Sequence, residues 1–303
     1  MRIIFYGTPA FAVASLQKMI ENGFNVVAVV TAPDKPAGRG MNLQASAVKQ
    51  FAVEHQLPVL QPTNLKSPEF HDTLKALKPD LQVIIAFRML PESVWNFPPM
   101  GTLNLHASLL PDYRGAAPIN RAIMNGERIT GVTTFFLKHE VDTGDLLLQK
   151  AVEIGETEDA GSLHDRLMEI GADLVVETLK GVESKTIQPK PQQILDIHHP
   201  APKIFTQDCE IHWSDIGNRI FNQIRGLSPY PGAFTKFKDK TLKIYSGHFK
   251  TSEIDVNAGT FEWVAGKYFR IATIDGWYYA EIVQPEGKRR MPILDFINGL
   301  GNS

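Results

Sequence analysis

The sequence predicts an α/β protein: a Rossmann-like, mostly parallel, doubly wound sheet followed by a small OB-like β-barrel domain. Three observations predict it. Short apolar runs alternate with helical patterns through the first half of the chain. A proline-rich stretch then breaks the rhythm. Beyond it, one helical pattern precedes a series of short β-rich segments. The length of 303 residues suits two domains better than one core.

The elements follow in order. Ile3–Tyr6 reads as a buried strand, and a turn follows at Gly7-Thr8-Pro9. Ala10–Glu21 carries Val13, Leu16, Met19 and Ile20 at helical spacing, and Gly23 stops it. Val26–Val30 is the next strand, so the three segments form a βαβ unit with parallel strands. The pattern repeats with a helix over Ser46–His55, a short strand near Val59, a helix over Pro68–Leu77, and strands at Leu81–Ala86 and Gly101–Leu105. A helix over Pro118–Asn125, strands at Gly131–Leu137 and Leu146–Val152, and a helix over Ser162–Leu179 complete the layer. The last two strands lie close in sequence, which suits an antiparallel pair at one edge. Residues 186–206 are Pro-rich and read as a semi-rigid linker. After a helix over Asp215–Leu227, strands are expected at Ala233–Phe237, Thr241–Phe249, Thr260–Val264, Phe269–Thr273 and Trp277–Val283, with a closing helix over Met291–Ile297. The resulting division is a catalytic domain at 1–188, a linker at 189–206 and a second domain at 207–303.

Composition narrows the function classes. No stretch approaches the ~20 apolar residues of a membrane span. The opening Met1-Arg2-Ile3 runs directly into a strand pattern and does not read as a signal peptide. With one cysteine, Cys209, the chain has no intrachain disulfide, and a Cys-based metal site is not expected. A reducing, cytoplasmic setting follows as the expectation. The net charge is −2, split as −4 over residues 1–202 and +2 over 203–303, so any phosphate-binding face has to be local. Gly7-Thr8-Pro9-Ala10-Phe11 lacks the GxGxxG pattern of dinucleotide enzymes.

Chemistry concentrates around Asn104-Leu105-His106-Ala107-Ser108-Leu109-Leu110-Pro111. Strand alternation puts Asn104 and His106 on one face, at the carboxyl end where open α/β sheets bind ligands. The loop Asp142-Thr143-Gly144-Asp145 offers a carboxylate that could reach the same place. An amide can stabilise an oxyanion, an imidazole can hold or move a proton near neutrality, and a carboxylate can orient the imidazole. Each residue alone also has an ordinary structural reading: Asn as a cap, His as a packed ring, Asp-Thr-Gly as a turn. The residues alone favour the ordinary reading.

Taken together, Asn-x-His with Ser108-Leu109-Leu110-Pro111, Tyr113-Arg114-Gly115-Ala116-Ala117-Pro118-Ile119, and the later Asp142-Thr143-Gly144 resemble the folate-dependent formyltransferase family. The resemblance implies a catalytic trio of Asn104, His106 and Asp142, and formyl transfer from 10-formyltetrahydrofolate with no metal. It implies folate contacts from Ser108, Leu109, Leu110 and Pro111, and from Ala86, Phe87, Arg88 and Leu90. Arg88-Met89 stand where many members carry a Gly-containing version. The loop Thr31-Ala32-Pro33-Asp34-Lys35-Pro36-Ala37-Gly38-Arg39-Gly40 reads on composition either as a solvated loop or as a nucleic-acid contact. Its PDKPAGRG run is similar to the tRNA-reading loop of members that formylate methionyl initiator tRNA, which implies that acceptor and contacts from Lys35 and Arg39. Trp213-Ser214, the Arg225–Ala233 run and Glu286-Gly287-Lys288-Arg289-Arg290-Met291 are similar to the second domain of the same members, adding Lys288, Arg289 and Arg290 as tRNA contacts. A monomer in the cytoplasm, without membrane attachment, completes the expectation. Two alternatives stand beside it: a formyltransferase acting on a nucleotide-linked amino sugar, and a non-catalytic tRNA-binding protein.

Overall fold

The computed structural model describes residues 1–37, 42–193, 198–264 and 266–300. Its elements run β1 (Arg2–Gly7), α1 (Ala10–Glu21), β2 (Asn25–Val30), β3 (Lys35–Ala37), β4 (Asn42–Gln44), α2 (Ala47–Glu54), β5 (Val59–Leu60), α3 (Pro68–Leu77), β6 (Leu81–Ile85), α4 (Glu92–Trp95), β7 (Thr102–His106) and α5 (Pro118–Met124). Then come β8 (Ile129–Phe136), β9 (Leu146–Glu153), α6 (Ala160–Glu183), a 3-10 turn (Thr206–Cys209), α7 (Gly217–Leu227), β10 (Ala233–Phe237), β11 (Lys240–Thr251), β12 (Phe261–Val264), β13 (Tyr268–Ala272), β14 (Gly276–Pro285), β15 (Met291–Pro292) and α8 (Ile293–Leu300).

Two compact units form, neither continuous in sequence: residues 1–114, 131–152 and 165–200 in one, and 115–130, 153–164 and 201–303 in the other. The first is built on a seven-stranded sheet in the order β5-β2-β1-β6-β7-β8-β9. Strands β5 to β7 of that order are parallel. β8 turns antiparallel to β7, and Phe136 N donates to Asp145 O at 3.0 Å where β8 returns through a loop towards β9. The central strands are apolar on both faces, as a sheet covered by helices requires. Ile3 and Phe5 point one way and Ile4 and Tyr6 the other, and all four are fully buried. Each such side chain contributes on the order of 1.5–3 kcal/mol relative to exposure.

Helix starts are set by local chemistry. Ser46 Oγ accepts from Lys49 N at 3.0 Å, and Ser67 Oγ accepts from Phe70 N with Pro68 at the first helical position. The basic loop is partly ordered as a hairpin, β3 with β4, which the loop reading did not anticipate. Arg39 lies outside the described residues. Asp34 anchors this segment: Lys49 Nζ donates to it at 2.5 Å and Gln61 Nε2 at 2.8 Å.

The second unit is an antiparallel sheet in the order β10-β11-β14-β13-β12, with β15 on β14. Phe237 of β10 meets Phe261 and Trp263 of β12 edge-on at 5.1 and 5.7 Å, so the two ends of the path curl towards each other. Phe269, Tyr278, Ile220 and Phe296 fill the interior. The closing helix begins at Ile293, because Met291 and Pro292 pair with β14 first. α7 packs on α5 in this unit, where Asn120 Nδ2 donates to Gly226 O at 2.7 Å.

Candidate active site

β7 delivers the first two groups. Asn104 and His106 are two residues apart on it, hence on one face, with His106 as its last residue. Asp142 comes from the loop between β8 and β9. Its Oδ2 lies 3.8 Å from His106 Nδ1, and both side chains are about nine-tenths buried. On the other side of the ring, His106 Nε2 lies 2.8 Å from Tyr113 O, which can only accept. The imidazole is thus held between a carboxylate and a carbonyl. Asn104 is half-buried, and among the described residues its carboxamide has no hydrogen-bond partner, which leaves it available to a ligand.

The Asp142 loop has little latitude. Asp142 adopts φ +55°. A Cβ on Gly144 would sit 1.6 Å from Phe136 O, so only glycine fits. Thr143 Oγ1 donates to Glu140 O at 2.9 Å, and Lys138 Nζ meets Asp145 at 2.7 Å. Gln192 Nε2 donates to Asp142 O at 2.8 Å and to Gly144 O at 2.9 Å, while its Oε1 accepts from Arg114. Gln192 falls in the Pro-rich stretch, and its positioning role was not anticipated there. Tyr113 was quoted as part of a motif, but its contribution is a backbone carbonyl, which no side-chain pattern announces.

The other anticipated residues divide by exposure. Ser108 and Leu110 are buried: Ser108 Oγ donates to Asp112 O at 2.6 Å, and Leu110 N donates to Thr133 Oγ1 at 3.2 Å. They hold the turn, and Leu109 and Pro111 keep partly open surface. The Leu110–Pro111 bond is cis. Past β6, Ala86 takes φ +48° and is exposed. Phe87 packs edge-on against Tyr6, and Arg88 donates to Pro62 O and Thr63 O. Leu90 points into the core, so its side chain supports this lip from beneath. Lys35, Lys288 and Arg289 are exposed. Arg290 is engaged, with its guanidinium 3.7 Å from the Tyr245 ring centroid and donating to Pro229 O.

An imidazole and a carboxylate held together beside an amide at the carboxyl end of an open α/β sheet form a set of groups that can stabilise developing charge and move a proton, as an enzyme of group transfer requires. Comparison with known proteins specifies which group. Residues 1–179 match the formyl transferase family model and residues 203–301 match the formyl transferase C-terminal domain, so the chain belongs to the formyl transferase family. It is 48% identical to a methionyl-tRNA formyltransferase of Parabacteroides distasonis, over 99% of this chain and 95% of that protein. Identity to the methionyl-tRNA formyltransferase of Flavobacterium johnsoniae is 47%, over 99% and 96%. Among solved structures, an N-formyltransferase from Helicobacter canadensis in complex with folinic acid and dTDP-3-aminofucose superposes with TM-score 0.71 at 21% identity, over 93% of this chain and 98% of that one. A methionyl-tRNA formyltransferase from Clostridium thermocellum superposes at 0.56 with 16% identity, over 82% and 94%. At those identities the superpositions speak to the fold alone.

Proposed function

We propose that this protein transfers the formyl group of 10-formyltetrahydrofolate to the α-amine of methionyl initiator tRNA. The observation that carries the chemistry is the buried His106–Asp142 pair, with Asn104 two residues before His106 on the same strand. Near-full-length identity of 44–48% to methionyl-tRNA formyltransferases supports the acceptor over a nucleotide-linked sugar.

The amine nitrogen attacks the formyl carbon and a C–N bond forms. Charge develops on the formyl oxygen, and Asn104 Nδ2 donates to it while the His106 imidazole on the same strand face stabilises that charge through space. The C–N bond to the donor's N10 then breaks. The proton lost by the amine passes to the departing nitrogen, with Asp142 as its carrier and as the group that orients His106. The donor binds along Ala86–Arg88 and the Ser108–Pro111 turn, with Leu90 packing beneath. Residues 1–188 serve as the catalytic domain, 189–206 as the linker and 207–303 as a tRNA-binding domain. Lys35, Lys288, Arg289 and Arg290 supply contacts to the phosphates, and Arg39 is given the same role on its place in the PDKPAGRG run alone. It acts as a monomer in the cytoplasm, the compartment of the tRNA acceptor proposed here.

The test is an acceptor comparison. Purified protein and 10-formyltetrahydrofolate are incubated with methionyl initiator tRNA, methionyl elongator tRNA, or nucleotide-linked amino sugars. Strong preference for the initiator tRNA is expected. Formylation of a sugar alone overturns the acceptor while sparing the trio.

A further inference from the structure

Tyr230 is the most exposed large hydrophobic side chain among the described residues, with 83% of its surface open. An isolated exposed aromatic on a surface needs no explanation. This one stands on a loop whose backbone is fixed on both sides. Pro229 O accepts from Arg290, and Pro231 O accepts from Lys243 Nζ at 2.8 Å. Gly232 N donates to Leu227 O at 2.8 Å, and Ser228 O accepts from Gly161 N at 3.1 Å. The loop therefore presents the ring outward without spending its own contacts on it.

The cations at its base are paired with neutral carbonyls, so their charge is not cancelled. Arg290 also lies flat on Tyr245, whose hydroxyl goes to Gln284, another neutral group. The carboxylates close by are Asp159, reached by the Ser228 hydroxyl at 3.4 Å, and Glu286, which accepts from Thr241 N. Another aromatic group in this unit shows the contrast. On β11, β13 and β14, Arg270 packs on Trp277 and His248 stacks on Tyr279, but Glu262 pairs with Arg270 and Glu281 with His248. That ladder is satisfied within itself, whereas Tyr230 is not.

We propose that Tyr230 is a stacking platform for an unpaired base of the RNA substrate, with Lys243 and Arg290 supplying positive charge for the adjoining phosphate. An aromatic face beside uncancelled cations is the combination that holds single-stranded nucleotides. The proposal rests on the acceptor being a tRNA, as read above.

The experiment measures steady-state formylation of methionyl initiator tRNA by the full-length protein and its Tyr230→Ala and Tyr230→Phe variants, with direct tRNA binding at fixed salt. Tyr230→Ala is expected to raise both KM and the tRNA dissociation constant about ten-fold, towards the low end of base–aromatic stacking, with the loss carried by KM. Tyr230→Phe keeps the ring and is expected to match the unsubstituted protein. Unchanged KM and binding in Tyr230→Ala overturn the platform. A Phe variant as weak as the Ala variant overturns stacking in favour of a hydroxyl contact. If the unsubstituted protein neither binds nor formylates tRNA, the acceptor reading falls, and the platform with it.

Discussion

Gly144→Ala is the substitution that most directly tests how the Asp142 loop serves the site. The added Cβ would lie 1.6 Å from Phe136 O, where 3.0 Å is the closest such atoms approach, so the loop must retreat by about 1.4 Å. That retreat stretches the Phe136–Asp145 backbone bond and the two bonds that Gln192 donates to Asp142 and Gly144. Losing one or two of these costs on the order of 1–3 kcal/mol in stability, which a domain of this size survives. The effect on function is larger, because Asp142 moves with the loop, away from His106 Nδ1. A misplacement of about 1 Å at a reacting group can cost roughly 10²-fold in rate. Urea unfolding should therefore show a folded protein with a modest loss, while kcat for formyl transfer falls about a hundredfold. Wild-type kcat in a folded Gly144→Ala protein would refute the claim that Asp142 acts through its position.

Other expectations are independent of that loop. Asn104→Ala should lower kcat by about 10²–10³ with little change in melting temperature, since its carboxamide has no hydrogen-bond partner among the described residues, and single-turnover kinetics will show whether the chemical step slows. Hydrogen bonds from Lys49, and then from Gln61, hold the Asp34 carboxyl below its usual range. Its stabilising contribution is present above about pH 4 and is lost as pH falls through the lowered native value, so Asp34→Asn should flatten the acid side of a melting-temperature profile. Arg225 is buried, which pushes its guanidinium below its ordinary value, and it donates to Gly155 O and Glu158 O. Arg225→Met should destabilise by about 1–3 kcal/mol in urea titrations by removing the bonds it donates to those two carbonyls.

The elements most legible in the sequence are those whose ends carry local signals. α1 and α3 fall where the spacing puts them, α3 because Ser67 caps it and Pro68 opens it. The β3–β4 hairpin was not legible, because prolines and glycines mark a loop without saying that its arms pair. α6 runs to Glu183, past the anticipated Leu179 and through Gly181, a glycine that does not end the helix. In the site, the trio could be named because side-chain chemistry announces itself. Its supports could not: Tyr113 contributes only a carbonyl, and Thr133 a hydroxyl bonded to the turn.

Gln192 shows why the stretch after α6 matters to catalysis. Aspartate at φ +55° is a disfavoured conformation that persists only where surrounding structure determines it. Local bonds within the turn, such as Thr143 to Glu140, do not fix the Asp142 carbonyl. Gln192 does, with one amide nitrogen shared between two carbonyls two residues apart, and Arg114 holds the other end of the same amide. Arg114 directly follows Tyr113, whose carbonyl meets His106. A single glutamine thereby ties the segment that holds the imidazole to the segment that holds the carboxylate. The distance between His106 and Asp142 depends on a residue far from both in sequence, in a stretch whose composition reads as connection alone.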